Sequence, residues 1–125
     1  MSELATIAPL VIEGVEINIV GERIRLSGVL SMRSPSETVT PFFKRIHSAA
    51  IKGGVKTLVV DLTQLRFMNS SSIRSLVDWV EWIRSEPEQR RYVLHFVTKP
   101  DATWQETTLT AIRAFGGEQV VVSRG

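Results

Sequence analysis

Three consecutive serines, Ser70, Ser71 and Ser72, follow Asn69 inside the stretch "FMNSSSIRSLV". A serine hydroxyl does chemistry in two main ways: as a nucleophile activated by a base, or as the acceptor of a phosphoryl group. A serine hydrolase of the common α/β type carries a Gly-x-Ser-x-Gly elbow, and no such elbow surrounds these residues. A phosphoacceptor needs only access and a place where new negative charge is tolerated. The start of a helix is such a place, because its first backbone N–H groups are unpaired and carry partial positive charge. Asn69 is a strong N-cap type, and serine is comfortable in a first turn. The run therefore reads either as an ordinary helix start or as a helix start that also acts as a switch. Phosphorylation of Ser70 would add about −1.5 to −2 charges there. The helix would tolerate that charge, whereas a docked partner would meet a changed surface.

Other chemistries find little support. The chain has no cysteine, which removes disulfides, thiolate catalysis and cysteine-ligated zinc. His47 and His95 lack neighbours at metal-ligand spacing, and there is no Walker-type phosphate loop. Neither a metal nor a cofactor is expected. Fifteen Lys and Arg against 13 Asp and Glu leave a net charge of +2, and the basic residues are scattered, so no nucleic-acid stripe forms. No apolar run approaches the roughly 20 residues of a membrane-spanning helix. The segment "MSELATIAPLVIEG" has Glu3 and no positively charged start, and reads as neither signal peptide nor anchor. A cytoplasmic protein, with no membrane partner, is the expectation.

The secondary structure around the serines follows from periodicity. A chain of 125 residues, 43% hydrophobic and 22% charged, suits one globular domain over 1–125. Residues 15–20 and 23–30 alternate apolar and polar, and the Gly21-Glu22 link between them suits a hairpin. Their polar faces imply a sheet open to water on one side. Residues 9–13 suggest a further short strand. Ser34, Pro35 and Glu37 form a capping-box pattern for a first helix, with Thr40-Pro41 as an alternative later start and Gly53-Gly54 as its end. Residues 55–62 read as a buried strand, followed by a short link to the serines. Ile73, Leu76, Val77, Val80 and Ile83 then recur at helical spacing. Residues 91–97 form another strand. Thr103 and Glu106 suggest a second capping box, Gly116-Gly117 ends that helix, and "EQVVVS" is a last strand. The order β-β-α-β-α-β-α-β predicts an α/β fold with a single mixed sheet and helices packed mainly on one face.

Within this order, "TLVVDLTQLRFMNSSSIRSLV" resembles the signature of STAS domains, the anti-sigma factor antagonists of bacterial partner switching. Asp61-Leu62-Thr63 matches the strand end of the family pattern, Phe67-Met68 its apolar pair, and Asn69-Ser70-Ser71 its Asp-Ser-Ser motif. The likeness in topology runs from about 15 to 122. The family's Asp is Asn69 here, its Gly is Ser72, and Arg74 replaces a small residue. The resemblance implies a non-enzymatic protein that binds an anti-sigma factor or serine kinase, is phosphorylated on the first serine of the motif, and is reset by a phosphatase. Carried over by position, the phosphosite is Ser70, with Ser71 and Ser72 as alternatives. A monomer or weak homodimer is implied. The alternative is a STAS scaffold or small-ligand-binding domain that is never phosphorylated.

On a helical projection, Ser71, Ser75, Trp79 and Trp82 share one side of the serine helix. Exposed tryptophan favours interfaces, so with Asn69 and Arg74 these residues form an expected docking face. The competing expectation is that a neighbouring helix or the N-terminal segment covers the tryptophans.

Overall fold

The structure, a computed structural model, describes residues 3–12, 14–31 and 33–125. Among the described residues, six strands form one sheet in the sequential order β1-β2-β3-β4-β5-β6. They are β1 (Leu10–Ile12), β2 (Val15–Val20), β3 (Arg23–Leu30), β4 (Thr57–Met68), β5 (Val93–Thr98) and β6 (Val120–Arg124). β1 to β3 pair antiparallel; β3 to β6 pair parallel. The crossovers are the helices α1 (Val39–Lys52), α2 (Ser70–Arg84) and α3 (Thr103–Gly116). Right-handed crossovers advancing in one direction put all three helices on one face of the sheet. The expected architecture is therefore found. β1 supplies the extra strand, and residue 13 of that reading lies outside the described residues, as do Met1 and Ser2 of the N-terminal segment.

The core lies between the helices and the sheet. Ile17, Ile24, Leu26, Leu58, Val60, Leu94 and Phe96 face it from the strands, and Phe43, Ile46, Leu76, Val80 and Ile112 meet them from the helices. A turn over Glu3–Thr6 adds Leu4 to this core. On the opposite face, Asn18, Arg25, Asp61, Val97 and Ser123 form one cross-strand row. Val20, Arg23, Val59, His95 and Val121 form the next.

Three local expectations are corrected. Ser34 makes no side-chain cap, and Pro35–Glu37 form only a 3₁₀ turn. α1 takes the later start instead, with Pro41 as its third residue, where a missing N–H costs no intrahelical bond. The Thr103–Glu106 capping box is absent because Thr103 already lies inside α3, one position past the cap residue Ala102. The supposed link after residue 62 is strand: β4 continues to Met68, paired with β3. Register shifts accompany Gly28, whose φ is +94° and where a Cβ would collide with the Gly14 carbonyl. Across them, Leu62, Leu65 and Met68 are the buried residues, a spacing of three in which the strand alternation is lost.

Candidate functional site

β4 delivers the chain to the serines, and two bonds fix the start of α2. The Asn69 N–H donates to the Leu30 carbonyl at 2.9 Å, tying it to the end of β3. Asn69 Oδ1 accepts from the Ser72 N–H at 3.0 Å, from an extended backbone. This is N-capping as expected. Ser70 and Ser71 are exposed, and the first turn holds no acidic side chain. Arg74, one turn on, sits 3.5 Å from Asp78. Ser72 is fully buried, and its Oγ has no hydrogen-bond partner among the described residues. As an alternative phosphosite it is thereby corrected, since an enclosed hydroxyl cannot reach a kinase.

One flank of α2 is sealed by α1. The Trp79 ring stacks on Phe43 with centroids 4.8 Å apart, and Ser75 Oγ lies 2.9 Å from Thr40 Oγ1. Trp79 Nε1 donates to the Tyr92 hydroxyl at 2.7 Å. Tyr92 meets His47 Nδ1 at 2.8 Å, and His47 Nε2 meets Glu86 at 3.3 Å. The consistent pattern is Nε2–H donating to Glu86 and Nδ1 accepting from Tyr92, which is a neutral imidazole. Burial lowers the His47 pKa, and the Glu86 hydrogen bond offsets this only in part. Burial pushes the Tyr92 hydroxyl well up. Ser75 and Trp79 are therefore not part of a docking face: both are buried under α1, against Thr40 and Phe43. Trp82 is half-buried at the rim of this seam, with the Lys44 ammonium 4.5 Å from its ring centre and His47 beside it.

The other flank is open. Between α2 and α3 runs an apolar trough of about 460 Å³, lined by Ile73, Val77, Thr108, Ala111 and Phe115 among others, with no ionisable side chain. Phe115 is 39% exposed, and the Arg84 guanidinium lies over its ring while donating to its carbonyl. Nearer the serines, the exposed Phe67 packs against Trp104 with centroids 6.4 Å apart.

Gln105 holds this arrangement together, and sequence reasoning missed it. β5 pairs with β4 only as far as Asp61. Beyond that point the Gln105 amide donates to the carbonyls of Leu62 and Leu65, each at 2.9 Å, while its Oε1 accepts from the Lys99 N–H. The first turn of α3 is thus fastened to the strand edge, beside Phe67. The available signal was a glutamine continuing the apolar stripe of Leu109 and Ile112.

Asp61, at the strand end that resembles the family pattern, is buried on the open side of the sheet. Burial pushes its carboxyl up, but the Thr63 hydroxyl and N–H, with Arg23 at 2.9 Å, outweigh this and hold it below the usual carboxylate value. Among the described residues, no group of His, Cys, Asp or Glu could hold a metal, and no helix is long and apolar enough to cross a membrane.

No protein-family model and no curated protein sequence matches the chain. Among solved structures it is similar to the crystal structure of an anti-sigma factor antagonist from Mycobacterium paratuberculosis. The TM-score is 0.52 at 16% identity, over 86% of this chain and 83% of that one. The likeness is one of fold: the chain has the STAS-type fold that its motif and element order predicted.

Proposed function

We propose that this protein is an anti-sigma factor antagonist. It binds an anti-sigma factor through the start of α2 and the open trough beside it, and phosphorylation of Ser70 ends that binding. The carrying observation is that Ser70 is exposed in the first turn of a helix capped by Asn69, at the end of α2 that adjoins the trough. The motif resemblance and the shared fold point the same way. Of the contacts expected in sequence, Asn69, Ser71 and Arg74 stay beside Ser70, joined by Phe67, Ile73, Val77 and Phe115, while Trp82 lies on the α1 side beside Lys44 and His47.

The physics of release follows from this placement. A phosphate on Ser70 sits at the positive end of α2, with no acid in the turn and Arg74 four residues on. The free protein accommodates it. A partner covering the same turn must instead desolvate a dianion or confront it with its own charges, which costs binding energy. The anti-sigma factor itself or a separate serine kinase adds the phosphate, and a phosphatase removes it. No enzymatic step belongs to this chain.

The test uses the cognate anti-sigma factor and kinase. Ser70→Ala should take up no phosphate and still bind, while Ser70→Asp should bind at least about tenfold more weakly, the scale of one misplaced charge. Phosphate uptake by Ser70→Ala at the wild-type level would refute the site. Undiminished binding by Ser70→Asp would refute release by charge.

A further inference from the structure

On the face of the sheet away from the helices and the serines, Arg23 and Arg25 converge on one carboxylate. Arg23 Nη1 donates to Asp61 Oδ2 at 2.9 Å, and Arg25 Nε lies 3.7 Å from the same oxygen. Asp61 Oδ1 is occupied by Thr63 through both its hydroxyl and its N–H. One buried carboxylate thus orients two guanidiniums and neutralises only one of them. Each guanidinium has five N–H donors, and the single Arg23 bond is the only hydrogen bond either makes among the described residues. Both side chains remain about half exposed.

These arginines border a recess of about 440 Å³ whose other lining residues are Asn18, Ile19 and Val20. Asn18 pairs with Arg25 across β2 and β3, and Val20 with Arg23. The recess therefore joins a cationic side, an amide and an apolar wall. Glu16 lies one row further along the same face and makes no ion pair among the described residues, while His95, two strands from Arg23, is bonded to Ser123. No acid other than Asp61 pairs with the two guanidiniums among the described residues.

We infer that Arg23 and Arg25, set side by side by Asp61 and flanked by Asn18, bind the phosphate group of a small phosphorylated molecule on the open face of the sheet. Guanidinium forks match phosphate oxygens in geometry as well as charge. The recess is larger than a phosphate and leaves room for an organic portion against Val20. The site is independent of the serine switch and lies on the other side of the sheet.

The test is a two-dimensional NMR titration of the intact protein with glycerol 3-phosphate. Saturable shifts should be confined to residues 18–25 and 59–61, with a Kd of about 1 mM or tighter. Arg25→Gln keeps the Arg23–Asp61 bond and so keeps the fold; it should weaken binding about tenfold, the scale of one charge-assisted contact. Arg113→Gln, on α3, should bind as wild type does. The inference is overturned if no saturable shift occurs, if Arg25→Gln binds equally well, or if acetate produces the same response. It is also overturned if vesicles containing phosphatidic acid shift these residues while glycerol 3-phosphate does not.

Discussion

The two flanks of α2 are built on opposite principles. Toward α1 the helix buries Trp79 against Phe43 and threads a hydrogen-bonded chain through Tyr92 and His47 to Glu86. Toward α3 it presents Ile73 and Val77 to an uncharged trough that reaches solvent at Phe115. The first flank holds the fold together, and its polar groups already have partners. The second leaves apolar surface uncovered next to Ser70, as a surface that must join and release a partner requires. Stability and binding can therefore be separated by mutation on a single helix.

The largest effect should fall on the sealed flank. Trp79→Ala removes a fully buried ring and the donor to Tyr92, and should cost about 3–5 kcal/mol in urea unfolding. A loss below about 1 kcal/mol would mean that α1 does not cover α2 as described. Gln105→Ala comes next. It strips the Leu62 and Leu65 carbonyls and the Lys99 N–H of their partner and should cost about 2–3 kcal/mol. It should also loosen the start of α3, visible as faster amide exchange over residues 103–108.

The sealed flank also predicts a pH dependence. The unfolded chain protonates His47 near the ordinary value of about 6.5, whereas burial resists protonation in the folded protein. Below that value the unfolded state binds more protons, so stability falls as pH drops from 7 toward 5. His47→Gln should flatten that slope. Asp61, whose folded pKa is lowered, adds a further loss only as pH falls through about 4.

Smaller stability changes are expected at Phe115, on the open flank, and at Ser72, inside the fold. Phe115→Ala, at a partly exposed position, should cost about 1 kcal/mol or less yet weaken anti-sigma factor binding about tenfold. If it destabilises as much as Trp79→Ala, the contrast between the flanks fails. Ser72→Ala replaces an enclosed, unpartnered hydroxyl with a methyl group and should leave stability unchanged or raise it by about 1 kcal/mol in the same unfolding assay.

Much of this was legible in the sequence, and the gaps have definite causes. The hairpin, three crossovers and Asn69 cap follow from local patterns that depend on nearby residues alone. Ser75 and Trp79 were misplaced because a helical projection locates a flank without saying what lies against it; Thr40 and Phe43 of α1 decide that. The second half of β4 was hidden because register shifts around Gly28 replace alternation with a spacing of three. Gln105 breaks an apolar stripe visibly, but its role was hidden because its partners are backbone carbonyls some 40 residues earlier, at a strand edge left bare by the shorter β5. Ser72 stood as an alternative to Ser70 until burial separated them.

The central claim is that a partner uses the open flank and the exposed serine together. Hydrogen–deuterium exchange, with and without the cognate anti-sigma factor, tests it most directly. New protection is expected over residues 70–77 and 104–115, with α1, residues 39–52, unchanged. Protection centred on α1 with none over residues 70–77 would contradict it.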